Sequence, residues 1–476
     1  HMATVSSSTT TAFDVTTLVS QLMAVERKPV DTLNTKISDT QARISSWGTL
    51  SGLVSSFQSS TQKLMTDLQK LAATSSDTTA LSASAASTGV PGTYSVNVTQ
   101  LAQSQSLVAA GQTSSSTAIS DGTPTTLTFD FGAITGGTLT NGTYGGATFT
   151  SNGNGTTSIV IDGTNNTLEG IRDAINAANM GVSATIVNDG SGTPYRLALS
   201  AVNSGASQSM KISASGGDGT LDALLGYDPA GTQHLSQTRA AQNANLTVNG
   251  IAITSPSNTV SEAVQGVTLT LRNLTSTPAN LTIERDTASI NSAVSSFVDS
   301  YNALASQMKS RLAYGSSTAT AGALSGDSTL RGLQDELRSL FNTAAGGGTL
   351  SRLAEVGISF QKDGTLAYDS SKLTTAMGND FQDVLNLFNG STGFATRIDA
   401  WAGSALQTGG LIDVRTQTLK SQVKDSQDEV DRLEIRMSAI EKKYTREYTN
   451  LNMLLSSMNT TSTFLTQQLL TQSKTQ

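Results

Sequence analysis

Side chains able to do covalent or acid–base chemistry are scarce in this 476-residue chain. It has two histidines and 0 cysteines. His1 and Met2 read as a remnant of cloning, which leaves His234. Thiolate nucleophiles, disulfides and cysteine metal sites are excluded. A serine nucleophile needs a base held beside it. His234 lies between Gln233 and Leu235 in a polar stretch with no accompanying motif, and reads as a surface residue. No glycine-rich loop is followed by Lys-Ser/Thr, so the pairs Gly136-Gly137, Gly145-Gly146 and Gly216-Gly217 read as loop glycines rather than phosphate cradles. Asp162, Asp189 and Asp218 each precede a glycine but do not recur at the spacing of calcium-binding repeats, and hairpin turns explain them. Asp428/Glu429 and Glu434/Glu441 are the nearest approach to the carboxylate pair of a glycan hydrolase. They fall on the charged flank of a long helical pattern, where solvated or interhelical ion pairs are expected. These residue types select no reaction, metal or cofactor.

Bulk properties narrow the classes further. Net charge is -7 with no basic block, so nucleic-acid binding has no electrostatic footprint. No apolar run approaches the roughly 18 residues that span a bilayer. Ala3–Ala12 is polar and lacks the basic and apolar regions of a cleavable signal peptide. Aromatics are 5% and charged residues 14%, while Ser and Thr make up roughly a quarter of the chain, well above ordinary usage. Thin cores and hydroxylated surfaces follow, which suit a secreted fibrous or surface protein.

Periodicity supplies the framework. Asp14 is a candidate N-cap, followed by Leu18, Leu22 and Val25 at helical spacing. Pro29 interrupts the pattern, which resumes with Leu33, Ile37, Ile44 and Trp47, then Leu50, Val54, Phe57, Leu64, Leu68 and Leu71. Leu50, Phe57, Leu64 and Leu71 are spaced by seven. Near the other end Val423, Val430, Met437, Tyr444, Leu451, Met458 and Leu465 form one row of a heptad seam, and Leu433, Ile440 and Leu454 form the second. With no Pro or Gly from Leu411 to Gln476, this predicts a helix of roughly 90 Å. The second row weakens at Ser426, Glu447 and Thr461. The N-terminal ladder is the natural partner, in the same chain or in neighbouring copies.

Between residues 75 and 285 the period changes to two. Tyr94, Val96 and Val98 alternate, as do Val182, Ala184 and Ile186, then Leu197 and Leu199, then Val267, Leu269 and Leu271. Asn249-Gly250 predicts a tight hairpin between Leu246/Val248 and Ile251/Ile253. Leu168, Ile171 and Ile175 mark one helix, and residues 112–154 read as short strands with long loops. Helices return at Ile290–Leu304 and Leu330–Phe341, the latter begun at Asp327 or Ser328, and a hairpin turns at Asp363-Gly364. The expected fold is multidomain α+β. A terminal coiled-coil leg (1–43 with 405–476) leads to a mixed helical and β-hairpin domain (44–76 with 286–404). Two inserted β-rich head domains follow (77–110 with 240–285, and 111–239).

Three stretches resemble the flagellar hook-associated family. Tyr94-Ser-Val-Asn-Val-Thr-Gln-Leu-Ala-Gln-Ser-Gln, with Tyr94, Val96, Val98 and Leu101, is similar to a segment of its capping proteins. Ile159-Val-Ile-Asp-Gly, with Ile161, Ile171, Ile175-Asn176, Gly181-Val-Ser-Ala-Thr-Ile-Val-Asn-Asp (holding Ile186) and Arg196-Leu-Ala-Leu-Ser (holding Leu197), is similar to the repeat in outer domains of flagellins and hook-associated proteins. Leu18-Val-x-x-Leu-Met-x-x-Glu26-Arg27-x-Pro29, with Met458-Asn and Phe464-Leu-Thr-Gln-Gln-Leu, resembles the two ends of filament-cap proteins. Residues 112–154 match none of these patterns.

The resemblance implies a structural protein at the distal tip of a growing flagellar filament. It would be extracellular, exported without a cleavable signal peptide, and assembled as a ring-like homo-oligomer that is pentameric in the working cap. Its partners would be flagellin, the junction proteins, a cytoplasmic export chaperone on the C-terminal helix and host glycans at the head. Other readings are a junction protein, a minor flagellin, a surface adhesin or an enzyme. Polar defects in the seam let it slip and re-pair, so residues 3–50 and 440–476 are expected to exchange their amides rapidly in the free monomer. Strong protection there would count against this.

Overall fold

A computed structural model describes residues 14–315 and 320–472. The chain divides into two compact units, residues 1–68 with 287–476 and residues 69–286.

The first unit is mainly helical. Its core forms because the Lys28–Asp67 helix carries large apolar residues on one face over its second half. Trp47, Leu50, Val54, Phe57 and Leu64 are all buried there. Against them pack the Thr287–Leu312 helix through Ile290, Val294, Phe297 and Tyr301, the Phe394–Leu406 helix through Ile398 and Ala402, and the Ser328–Asn342 helix through Leu333, Leu337 and Phe341. Phe57 lies 5.3 Å from Phe297 and 5.9 Å from Tyr301, ring centre to ring centre, and Tyr301 meets Phe341 edge-on at 4.9 Å. The heptad ladder stops short of its fourth member. The helix ends at Asp67, and Leu71 instead opens a strand of the second unit. Asp327 caps the Ser328–Asn342 helix by accepting the Thr329 and Leu330 N–H groups at 3.0 and 3.3 Å. Its other oxygen accepts two bonds from Arg415 at 2.9 and 3.0 Å, which anchors the base of the Leu411–Gln472 helix. The Asp363-Gly364 hairpin joins Ile358–Phe360 to Leu366–Tyr368.

The second unit is antiparallel β with two cores. In one, a five-stranded sheet runs in the order Leu71–Ser75, Ala279–Arg285, Gly92–Gln100, Ala244–Val248, Ile251–Ser255. It shares its interior with a three-stranded sheet of Leu81–Ala85, Val267–Leu271 and Thr259–Val264. The strand Leu71–Ser75, which the periodicity places with the helical leg domain, belongs to this sheet. First and last strands are neighbours, Leu71 opposite Arg285, so the chain enters and leaves the unit at one point, where the Asp286 N–H donates to the Lys70 carbonyl at 3.1 Å. At the Asn249-Gly250 turn both residues have positive φ, 49° and 81°, as a type I′ hairpin requires.

The other core lies beneath the Leu168–Ala178 helix. Residues 112–154 depart from the expected short strands. Thr125–Thr140 is a sixteen-residue strand paired with Thr143–Ser151, Ser209–Gly216 and Thr157–Ile161. Sequence hydropathy missed it because its distal half is exposed and glycine-bearing, so no apolar alternation marks it. Four Asp-Gly-Thr turns, at Asp121, Asp162, Asp218 and Asp363, have the aspartate carboxylate accepting the threonine N–H at 2.9–3.0 Å. Bonds from the Thr164 and Thr365 hydroxyls, followed by their N–H groups, hold Asp162 and Asp363 below the usual carboxylate range, and the Thr220 N–H leads in doing so for Asp218.

Replacing Phe57 by Ala is expected to cost about 3–5 kcal/mol, since the site is fully enclosed. Leu454→Ala, on an exposed surface, should change stability by less than about 0.5 kcal/mol. Urea unfolding followed by circular dichroism checks both.

Candidate functional site

The few side chains capable of acid–base chemistry do not converge. His234 is exposed, and Asp428 and Glu429 pair along their own helix with Lys424 and Arg432. Glu434 instead bonds across to Arg27 on the N-terminal helix. Among the described residues no three His, Cys, Asp or Glu side chains cluster as a metal site, and no helix is long and apolar enough to cross a membrane.

What the fold does build is a seam between the chain ends. Asp14 caps the Val15–Glu26 helix, accepting the Thr16 and Thr17 N–H groups. Arg27 ends that helix and Pro29 sits in the first turn of the next, where its missing N–H is no loss. The two run antiparallel to the Leu411–Gln472 helix, burying Val19, Met23, Val30 and Ile37 against Val430 and Met437. Leu33, Val423, Leu433, Ile440, Tyr444 and Tyr448 pack around them, half-buried. Two polar contacts flank the row: Arg27 with Glu434, and the Tyr444 hydroxyl donating to Glu26 at 3.1 Å. That bond and the adjacent carboxylate push the Tyr444 phenol up.

The register differs from the expected one in three places. Leu18 and Leu22 are only half-buried and Val25 is 62% exposed. The row that buries Val19 and Met23 continues unbroken to Val30 and Ile37, whereas the row through Val25 runs into Lys28 and Pro29, so the helix turns its continuous face inward. Ile44 packs into the core of the helical unit rather than the seam. Among the described residues the C-terminal row is covered as far as Tyr448 and partly so at Asn452 and Leu455, which are half-buried. Leu451, Leu454, Met458 and Leu465 are 42–60% exposed. About 24 Å of helix, residues 456–471, thus carries an exposed apolar stripe. Ser426, expected as a defect, is buried at the seam, while Glu447 and Thr461 face outward.

The head-motif residues all serve packing. Val96 and Val98 are buried in the first β core, with Tyr94 and Leu101 against its edge. Ile161, Ile171, Ile175 and Leu197 are buried in the second, with Ile186 partly covered. The Asp327–Arg415 tether escaped the sequence reading: Asp327 was legible as a cap, but nothing in the sequence ties it to an arginine 88 positions on.

The family models for the N-terminus and C-terminus of flagellar hook-associated protein 2 match residues 11–105 and 241–460. The chain is 34% identical to flagellar hook-associated protein 2 of Escherichia coli K12, over 96% of each chain, and 31% identical to the B-type protein of Pseudomonas aeruginosa, over 94% of this chain and 93% of that one. The crystal structure of the flagellar cap protein FliD D1-D2-D3 domains from Escherichia coli superposes with a TM-score of 0.68 at 35% identity, covering 79% of this chain and 99% of that one. Heptad-paired chain ends, an inserted antiparallel β unit and similarity along nearly the whole length agree, and the chain belongs to the flagellar hook-associated protein 2 (FliD) family, the structural cap proteins of the flagellum.

Proposed function

We propose that this protein is an assembly factor without catalytic activity, seated at the filament tip as a ring-like homo-oligomer, pentameric when working. Residues 77–110 with 240–285 and residues 111–239 act as two head domains that form the plate. Residues 44–76 with 286–404, less the strand Leu71–Ser75 that joins the first head sheet, connect them to a leg of residues 1–43 with 405–476. The observation that carries this reading is the seam: a stripe that is covered up to Tyr448, partly covered to Leu455 and exposed from there along the described helix. A leg of that kind holds its own chain together and keeps an apolar surface for a helical partner. Leu451, Leu454, Met458 and Leu465 are the residues that would meet flagellin or the junction proteins during insertion, and an export chaperone before it. Displacement of a leg by each incoming flagellin uses the modest strength of a seam with few fully buried side chains.

Two outcomes are expected. In a strain lacking this chain, flagellin escapes into the medium as monomer, and a version ending at Tyr448 does not restore filaments although its circular dichroism in the β region is unchanged. Filament recovery by that version would refute the leg assignment. Within the seam, Met437→Ala should weaken pairing of the ends by about 2–5 kcal/mol. Arg27→Ala should cost less than about 1 kcal/mol, because both members of its ion pair are roughly 40% exposed. Amide exchange across residues 15–40 reads both.

A further inference from the structure

The long hairpin of the second unit carries a joint and a latch. The joint lies where its two strands pair Gly136 with Ala147 and Thr138 with Gly145. Gly136 and Gly137 on one strand and Gly146 on the other all have positive φ, 67°, 70° and 71°. A side chain at Gly137 would approach the Ala147 nitrogen to 2.6 Å, so no other residue fits there. Glycines on both strands at one level remove the steric barrier that keeps a β ribbon stiff. Beyond them the arm Thr138–Tyr144 is short and largely exposed.

The latch is at the tip. The Gln237 N–H donates to the Gly142 carbonyl at 2.7 Å. The Gln233 side chain accepts from the Tyr144 N–H at 2.7 Å and donates to its carbonyl at 2.9 Å. Gln237 Nε2 donates to the Tyr144 hydroxyl at 2.9 Å, and Gln237 Oε1 accepts from the fully buried Gln105, which in turn accepts from the Met210 N–H. The arm thereby covers the outer edge of Ser236–Arg239, the terminal strand of a four-stranded sheet. An edge strand with its backbone uncovered is a template for another chain. Here the cover is one main-chain bond and a set of side-chain amides. Every group in that cover is also presented by a second copy of the same chain, so an arm passed from one copy to the next would recreate the latch with no new complementarity needed.

We propose that the arm 138–144 swings about its glycine joint and passes head to tail between copies, each arm latching onto the Ser236–Arg239 edge of the next copy around the ring. This contact is independent of the terminal seam and supplies a joint between neighbouring heads.

A cysteine-free chain makes the test direct. A β-carbon at position 142 would lie 2.9 Å from that of Ser236. Full-length Gly142→Cys and Ser236→Cys are purified separately, mixed, and oxidised with copper phenanthroline. Arm passage predicts disulfide-linked dimers between unlike variants, formed about tenfold or more faster than in either variant alone, because the latch raises the effective concentration of the two thiols. The double variant, which forms an internal bridge in its monomer fraction, confirms that the latch geometry survives. Unlike-variant dimers that form no faster than like-variant ones, while the double variant bridges internally, would overturn the proposal. If Gly142→Cys loses its circular dichroism, Asn141→Cys moves the thiol one residue back and the same two outcomes decide. Loss of filaments with the truncated leg would leave this result unaffected, so the two readings fail separately.

Discussion

The antiparallel contact between the first and last helices is the constraint on which the rest hangs. Met23, Val30 and Ile37 face Val430 and Met437, and Leu50 shares a core with Ile412 and Leu419. Once the two ends run side by side, everything between them must be a closed excursion. The second unit meets that demand by making its first and last strands neighbours, with Leu71 opposite Arg285. Insertion of a β unit into a helical one is a consequence of pairing the ends, and the sheet order is what permits it.

Strength is graded along the long helix. At its base Leu419 is fully buried, and Arg415 forks onto a nearly buried carboxylate that is already capping another helix. Removing either partner there strands a charge, which is costly. In the seam few side chains are fully buried, and the flanking ion pair is solvated, so each contact is individually weak. From residue 456 to 471 every described side chain is exposed. Such a gradient gives local opening free energies that fall toward the C-terminal end of the helix, while the aromatic cluster around Phe57 and Tyr301 stays closed.

The β unit solves a different problem, that of a chain poor in aromatics and rich in hydroxyls. Its two cores are built mainly from Leu, Ile, Val and Ala at alternate strand positions, with Tyr227 and Phe129 as the large exceptions. Short Asp and Thr side chains fix its turns by bonding their own backbone, so turn geometry does not depend on a thick core. Where side-chain amides rather than main-chain ladders hold an element, as at the tip of the long hairpin, that element is free to be released without loss of the sheet beneath it.

Heptad spacing, period-two alternation, the Asp14 and Asp327 caps and the Asn249-Gly250 turn were legible because each is a local rule: a periodic face or a short-range hydrogen bond names itself in a handful of residues. With one interrupted chain of helices at each end and alternation between, the paired ends and inserted β-rich unit followed. Three features needed the tertiary structure. Which of two adjacent apolar rows on the Val15–Glu26 helix turns inward, leaving Val25 exposed, depends on how the row continues past Pro29 against a partner 400 residues away. The heptad pattern runs through Leu451, Leu454, Met458 and Leu465 without a break, so their 42–60% exposure is visible only in the structure. The long hairpin of residues 125–151 was hidden because its distal half carries no apolar alternation: it is held by the glutamines at 105, 233 and 237, and a contact made by polar side chains distant in sequence leaves no periodic trace.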